Sequence, residues 1–190
     1  MGGIGMCGRY FLEPEMSDEE WARIVEALNR RPIPAGTKLA GEVFPTDVVP
    51  ALAGGKAVAM RWGFTKPVGS GVVINARSET AAQKPMFRSA ARCLIPAGGY
   101  FEWGREDRVK YALTGPSRTI YMAGLYRIEE PGEPARFVIL TRAAAPSVAY
   151  IHDRMPVILD GDARRQWLNP GSSPAEVLKG AVGEVQSAPQ

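Results

Sequence analysis

Strand-forming runs in this chain follow one another across short turns rather than crossover helices, and that spacing narrows the folds open to it. Runs of valine, isoleucine, tyrosine and phenylalanine fall at 57–64, 72–76, 109–113, 119–126 and 136–141, parted by glycine, proline and charged turn residues. Extended segments are also predicted at 92–96 and 99–103, around a Pro-Ala-Gly-Gly turn, and at 156–159. A parallel sheet needs a dozen or more residues between strands, usually helical. No βαβ rhythm of that kind is present. The order predicts an α+β fold in which a twisted antiparallel, barrel-like sheet carries peripheral helices.

The helices are signalled by caps and by the 3.6-residue period. Ser17-Asp18-Glu19-Glu20 is a capping box, and Trp21, Ile24, Val25 and Leu28 follow on one face, so a helix is predicted over 18–29. Pro32 and Pro34 end it. Residues 30–56 read as a long irregular connection with a short extended piece around Val48-Val49. Ser78 and Glu79 open a helix, interrupted before Pro85 and resumed through 87–92. Helical turns are predicted at 146–151, and short helices at 162–168 and 174–182. Neither an internal repeat nor a second core is visible.

At 190 residues, with 45% hydrophobic and 23% charged side chains, the composition is that of one ordinary soluble domain. No apolar run approaches the roughly 20 residues of a membrane helix. The first residues lack the basic and apolar regions of a signal peptide, so a cytoplasmic location is expected. Cys7, Cys93 and His152 are the only soft ligands and none sits in a paired spacing, so neither a metal nor another cofactor is expected. A Cys7–Cys93 disulfide is disfavoured in a reducing cytoplasm. The net charge is +3, yet residues 61–92 hold six cations (Arg61, Lys66, Arg77, Lys84, Arg88 and Arg92) against Glu79 alone, a local +5. Such a segment points to an anionic partner such as a nucleic-acid backbone, the plain alternative being a solvated basic face.

Met6-Cys7-Gly8-Arg9-Tyr10 carries the most specific chemistry. A cysteine directly after a methionine can become a first residue, with a thiol and a free α-amine on adjacent carbons. The amine titrates at about 7.7–8.0 and the thiol at about 8.5, so both have reactive fractions near neutrality. Such an aminothiol condenses with an aldehyde to an imine, which the thiol closes to a thiazolidine. Residues 1–6 have no amphipathic pattern and read as an expression scar or a propeptide, leaving 7–190 as the single domain. If they persist, Cys7 has no free amine. Arg9 is expected to favour the thiolate.

Three more groups could carry chemistry. Glu102, among Tyr100, Phe101 and Trp103, would have its pKa raised by burial into the range of general acid–base work, or would simply point into water. His152, with Asp153 and Arg154 beside it, is either a proton carrier or a structural histidine. Asn75-Ala76-Arg77-Ser78 marks a strand-to-helix junction that can meet an anion, with Lys84 and Arg88 following; Ser78 reads equally well as a plain cap. Trp62, in Arg61-Trp62-Gly63-Phe64, is either core or a base-stacking platform.

Together Met6-Cys7-Gly8-Arg9-Tyr10, Arg61-Trp62-Gly63-Phe64, Asn75-Ala76-Arg77-Ser78-Glu79-Thr80, Lys84-Pro85-Met86-Phe87-Arg88, Arg92-Cys93-Leu94-Ile95-Pro96-Ala97, Tyr100-Phe101-Glu102-Trp103, Ala123-Gly124-Leu125-Tyr126 and His152-Asp153-Arg154-Met155-Pro156 resemble the SRAP family, the SOS-response-associated peptidases or abasic-site processing proteins. The resemblance runs in order from Cys7 to about Leu159. It implies a protein that binds abasic sites in single-stranded DNA and attaches to them covalently through an N-terminal cysteine. It further implies Cys7 as the source of amine and thiol, Asn75 as a holder of the cysteine backbone or opened sugar, and Glu102 and His152 as proton carriers. Arg9 and Arg77 would contact flanking phosphates, and Arg154 would support the site. Removal of residues before the cysteine by autoproteolysis and a weak lyase activity are implied as well, with a monomer meeting proteins of the replication fork and held at the nucleoid when bound to DNA. The sequence departs from the family pattern where Thr65-Lys66-Pro67-Val68 lacks a second tryptophan and where Glu42-Val43-Phe44-Pro45-Thr46 replaces a Tyr-Asn-containing run. Two readings from other classes stand beside it: a cysteine hydrolase in which His152 activates Cys7, and a non-covalent single-strand binding module.

Overall fold

In the computed structural model, which describes residues 7–13, 18–30 and 32–190, two sheets meet along one continuous stretch of chain. Strand β1 (Arg9–Leu12) and helix α1 (Asp18–Asn29) lead into β2 (Gly41–Val43), β3 (Val48–Ala53), β4 (Lys56–Trp62), β5 (Phe64–Thr65), β6 (Val72–Val73) and β7 (Asn75–Arg77). A single 3₁₀ turn at Ala81–Gln83 and α2 (Pro85–Arg88) precede β8 (Ala91–Ala97), β9 (Gly99–Trp103), β10 (Lys110–Thr114), β11 (Ile120–Arg127) and β12 (Arg136–Ala143). The chain finishes with β13 (Arg154–Pro156), β14 (Ile158–Leu159), α3 (Gly161–Leu168), α4 (Pro174–Lys179) and β15 (Gln186–Pro189).

The larger sheet closes on itself. β3 pairs with β4, β4 with β12, β12 with β11, β11 with β8, and β8 returns to β3 through Leu52 and Leu94. Every pairing in that ring is antiparallel except β4 with β12. Its strands bury large apolar side chains, among them Met60, Trp62, Leu94, Ile95 and Phe137, with Leu94 and Ile95 on opposite faces of β8. The α+β, barrel-like expectation therefore holds. α1 buries Trp21, Ile24 and Leu28, the face that its periodicity marked. Ser17, the cap of the predicted capping box, lies outside the described residues, as do residues 1–6.

Gly63 explains how β7 reaches its place. Its φ of +109° turns the chain out of the ring into the small β5–β6 hairpin. The chain then returns as β7, beside the same strand β12 that β4 has just left, with Asn75 opposite Ile139. Asn75 and Arg77 thus sit at a ring edge.

The second sheet has the order β15-β10-β9-β1-β2 and is antiparallel throughout. β8 belongs to the ring and β9 to this second sheet, yet Gly98 alone separates them in sequence. The Pro-Ala-Gly-Gly segment is therefore a bend that carries one extended chain between sheets, correcting the predicted turn. A Cβ on Gly99 would stand 2.5 Å from the carbonyl oxygen of Leu113 and 2.7 Å from Cζ of Phe11. Tyr10 of β1 meets Trp62 of the ring at 5.1 Å between centroids, so the two sheets share one core.

Other expectations need correction. The predicted 78–92 helix is a turn, one 3₁₀ turn and the four residues of α2, because β8 claims Arg92 for pairing with Leu125. Residues 146–151 form hydrogen-bonded turns rather than helix, with Val148 N–H on the Ala145 carbonyl and Ile151 N–H on that of Val148. The connection read as irregular holds β2, and the extended piece expected around Val48-Val49 is the start of β3, which runs on through Pro50 to Ala53. The strand tolerates the proline because β3 pairs with β8 at Leu52 alone. Strand β15 has no counterpart among the predicted segments.

Gly99→Ala should cost about 1–3 kcal/mol, the usual scale of overpacking a tight site, and lower the urea midpoint. Gly183→Ala, whose new methyl meets nothing within 4 Å, should leave it nearly unchanged. Equal midpoints for the two variants would refute the close-approach role of Gly99.

Candidate active site

Cys7 lies just ahead of β1, and β1 pairs with β9 through Arg9–Phe101 and Tyr10–Tyr100. That register lays the start of the chain beside Glu102. Cys7 is fully buried, and its backbone N–H donates to Oε1 of Glu102. Alternation turns Tyr100 and Glu102 inward together, and Glu102 is 4% exposed. Burial pushes the Glu102 carboxyl up to about 7; the N–H groups of Cys7 and Trp103 and the Arg105 cation pull the other way. Burial, and then the Glu102 charge, also push the Cys7 thiol well up. The expected thiolate at Cys7 is therefore corrected to a neutral thiol.

His152 follows the 146–151 turns and is half-buried. Its Nδ1 lies 3.1 Å from the Arg154 backbone nitrogen. Asp153 Oδ1 lies 3.0 Å from the same Nδ1, and Arg105 grips that carboxylate oxygen at 2.5 Å. Burial and then Arg105 lower the imidazole pKa, and Asp153 opposes them. No hydrogen bond joins the Cys7 sulfur to His152 among the described residues, so the paired geometry of a cysteine hydrolase is not formed. No group of three or more His, Cys, Asp or Glu side chains among the described residues is placed to hold a metal ion.

The basic residues divide into two sets. Arg77, Lys84 and Arg88 are exposed on β7, the following loop and α2, and none has an ion pair with a described residue. Arg61 and Arg92 are spent on the fold: Arg61 on the Thr46 carbonyl, Arg92 on the carbonyls of Asn169 and Ser172. Arg9 pairs with Glu42 at 3.2 Å and lies over the rings of Phe44 and Trp103. Arg154 holds Glu79 through two hydrogen bonds, at 2.6 and 2.8 Å, and the Thr141 carbonyl at 2.7 Å. That grip brings the Glu79 carboxyl down to about 2, and through it Arg154 braces β12, β13 and the turn after β7. Trp62 is 0% exposed and donates Nε1–H to the Ile74 carbonyl, so the stacking-platform reading is corrected to core.

A family model described as SOS response associated peptidase (SRAP) matches residues 6–188. The chain belongs to the SRAP family. It is 30% identical over 195 residues to the abasic site processing protein YobE of Bacillus subtilis, spanning 92% of this chain and 87% of that one. Over 126 residues it is 36% identical to the abasic site processing protein YedK of Escherichia coli, spanning 62% and 57% of the two chains. The crystal structure of a phage-related protein from Bordetella bronchiseptica shares the fold with a TM-score of 0.75 at 24% identity, covering 97% of this chain and 94% of that one.

In this SRAP chain, sequence reading missed Arg105. It follows Gly104 in an exposed turn, and nothing near it in sequence signals that the fold delivers it to Asp153. Arg105→Gln should remove a cation that holds both Glu102 and His152 down and leave Asp153 uncompensated. Both groups should then titrate at higher pH in NMR of the carboxyl and imidazole carbons. Unmoved or lower values would show that Arg105 does not tune the pair.

Proposed function

We propose that this protein, once Cys7 is its first residue, captures the aldehyde of an abasic site in single-stranded DNA as a covalent adduct. The observation that carries this reading is the buried contact between the Cys7 nitrogen and the Glu102 carboxylate. It is supported by relatives named abasic site processing proteins. The exposed Arg77, Lys84 and Arg88 would face the phosphates of the strand. Asn75, at the head of β7, would hold the opened sugar or the cysteine backbone.

The chemistry follows from the order of proton transfers. The unprotonated α-amine of Cys7 adds to the aldehyde carbon, and Glu102, protonated near neutral pH, gives its proton to the departing hydroxyl. Water leaves, and an iminium that keeps its N–H remains. Glu102 is then a carboxylate and can accept the proton of the neutral Cys7 thiol as sulfur attacks the same carbon. The C=N electron pair returns to nitrogen, which closes the thiazolidine and leaves Glu102 protonated as it began. The balance is aldehyde plus aminothiol giving thiazolidine plus one water. His152 would assist opening of the sugar.

The same contact suits removal of the preceding residues. Cys7 has a φ of +44°, a left-handed conformation that a β-carbon makes unfavourable by roughly 1–2 kcal/mol. Hydrolysis of the Met6–Cys7 bond would release that strain. Water would add to the Met6 carbonyl carbon as hydroxide, Glu102 would protonate the leaving Cys7 nitrogen, and the water's other proton would restore the Glu102 acid.

Crosslinking of an abasic single strand by a chain that starts at Cys7 should have a bell-shaped pH dependence. The rate rises as the amine loses its proton and falls as Glu102 loses its own near pH 7. Glu102→Gln should slow the reaction by about 10²–10⁴-fold and lose the falling limb. An unchanged rate would remove Glu102 from the mechanism. Equal binding of intact and abasic strands with no adduct would favour the non-covalent module.

A further inference from the structure

We infer that Tyr150, steadied by Tyr111 and Ser187, is a stacking site for a nucleobase flanking the abasic position. The inference rests on the proposed capture of abasic single strands and adds a contact that Cys7, Asn75, Glu102 and His152 do not supply. Tyr150 is one of the few large apolar side chains left in solvent, at 61% exposure. It stands two residues before His152.

Its ring is exposed but not loose. The Tyr150 and Ser187 hydroxyl oxygens are 2.9 Å apart, and the ring meets Tyr111 edge-on, 6.0 Å between centroids at 88°. Tyr111 is itself fixed by a 2.6 Å hydrogen bond from its hydroxyl to Asp107. A preset aromatic face loses little freedom when a base settles on it.

Strand register sets the direction from the candidate active site to this ring. Tyr111 pairs directly with Glu102 across β9 and β10, and on the far side with Pro189 of β15. Directly opposed residues share a sheet face with Cβ atoms about 4.5–5.5 Å apart. The face that turns Glu102 toward Cys7 therefore continues outward to Tyr111, one strand away. Ser187 lies on the same face, paired with Leu113. Tyr150 lies against both, beside the Glu102 row.

Anchoring the 146–153 segment does not require this side chain to be a tyrosine left in water. Ser147 already donates to the Val185 carbonyl, Asp153 is held by Arg105, and Val148 and Ile151 are buried. The charges nearby decide what part of a nucleotide fits. Asp107 accepts from the Tyr111 hydroxyl, and Arg105, in the same turn as Asp107, is engaged by Asp153. A phosphate is poorly served there, whereas the uncharged face of a base stacks on tyrosine without regard to sequence.

The test uses an abasic single strand with the fluorescent base 2-aminopurine placed one nucleotide to either side of the lesion. Wild-type protein should quench it on one side. Tyr150→Ala should abolish that quenching and weaken binding at least about fivefold, the lower end expected for loss of one base–aromatic stack. The weakening should be the same at every salt concentration, because no phosphate contact is lost. Tyr150→Phe and Tyr150→Trp, which keep a ring, should retain quenching. Wild-type affinity and quenching in Tyr150→Ala, with the strand still captured, would overturn the stacking site alone. A steeper or shallower salt dependence in Tyr150→Ala would reassign the residue to the phosphates. A wild-type chain that binds no abasic strand would overturn both this site and the capture reading.

Discussion

The hydrogen bond from the Cys7 nitrogen to the buried Glu102 carboxylate is the contact around which the rest of the candidate site is arranged. It exists because β1 and β9 pair in a register that puts Tyr10 opposite Tyr100. It lies between the sheets because β8 and β9 are one extended chain bent at Gly98. Both partners are buried, and burial has opposite uses for them. It lifts the carboxyl into the range where it can give and take a proton near neutrality, and it keeps the thiol neutral until a base is available. The proposed order, an acid first and a thiol second, would draw on one low-dielectric setting.

Charge is distributed around that contact in two different ways. On the side of β7 and α2, Arg77, Lys84 and Arg88 have no ion pair with a described carboxylate and suit a phosphate backbone. On the side of β10 and the 146–153 segment, cations and anions are paired off, Arg105 with Asp153 in particular, and aromatic rings come to the surface. A strand crossing between the two would meet electrostatic attraction at one end and a stacking surface at the other. Arg9 and Arg154, each neutralised by a carboxylate, belong to the framework between them.

Local signals carried much of this and failed at identifiable places. The periodicity of Trp21, Ile24 and Leu28 was enough to place α1, and the aromatic run at Tyr100–Trp103 was enough to give β9, whereas the choice between a buried Glu102 and one in water was made only by the packing of the two sheets. The ring was legible as a barrel-like sheet but its closure was not. The β3–β8 and β4–β12 pairings join residues far apart in sequence, and Pro50 cut the extended piece read around Val48-Val49 short of the full β3. Charge counting over 61–92 found the basic segment yet could not separate the exposed Arg77 from Arg61 and Arg92, which bond to distant carbonyls. Trp62 and Arg105 failed for the same reason. Whether a tryptophan is core or platform, and which carboxylate a surface arginine finds, depends on tertiary neighbours that no local window contains.

An amide nitrogen cannot form an imine, so capture at Cys7 requires a primary amine there. The most direct measurement is peptide mass spectrometry of the adduct on an abasic single strand, comparing a chain that starts at Cys7 with one that retains residues 1–6. Capture through the aminothiol predicts a heat-stable adduct on Cys7 in the first, with the mass of protein plus DNA minus one water. It predicts none on Cys7 in the second until the Met6–Cys7 bond is cut. A stable adduct on Cys7 with Met6 still attached, or an adduct on a lysine instead, would contradict it.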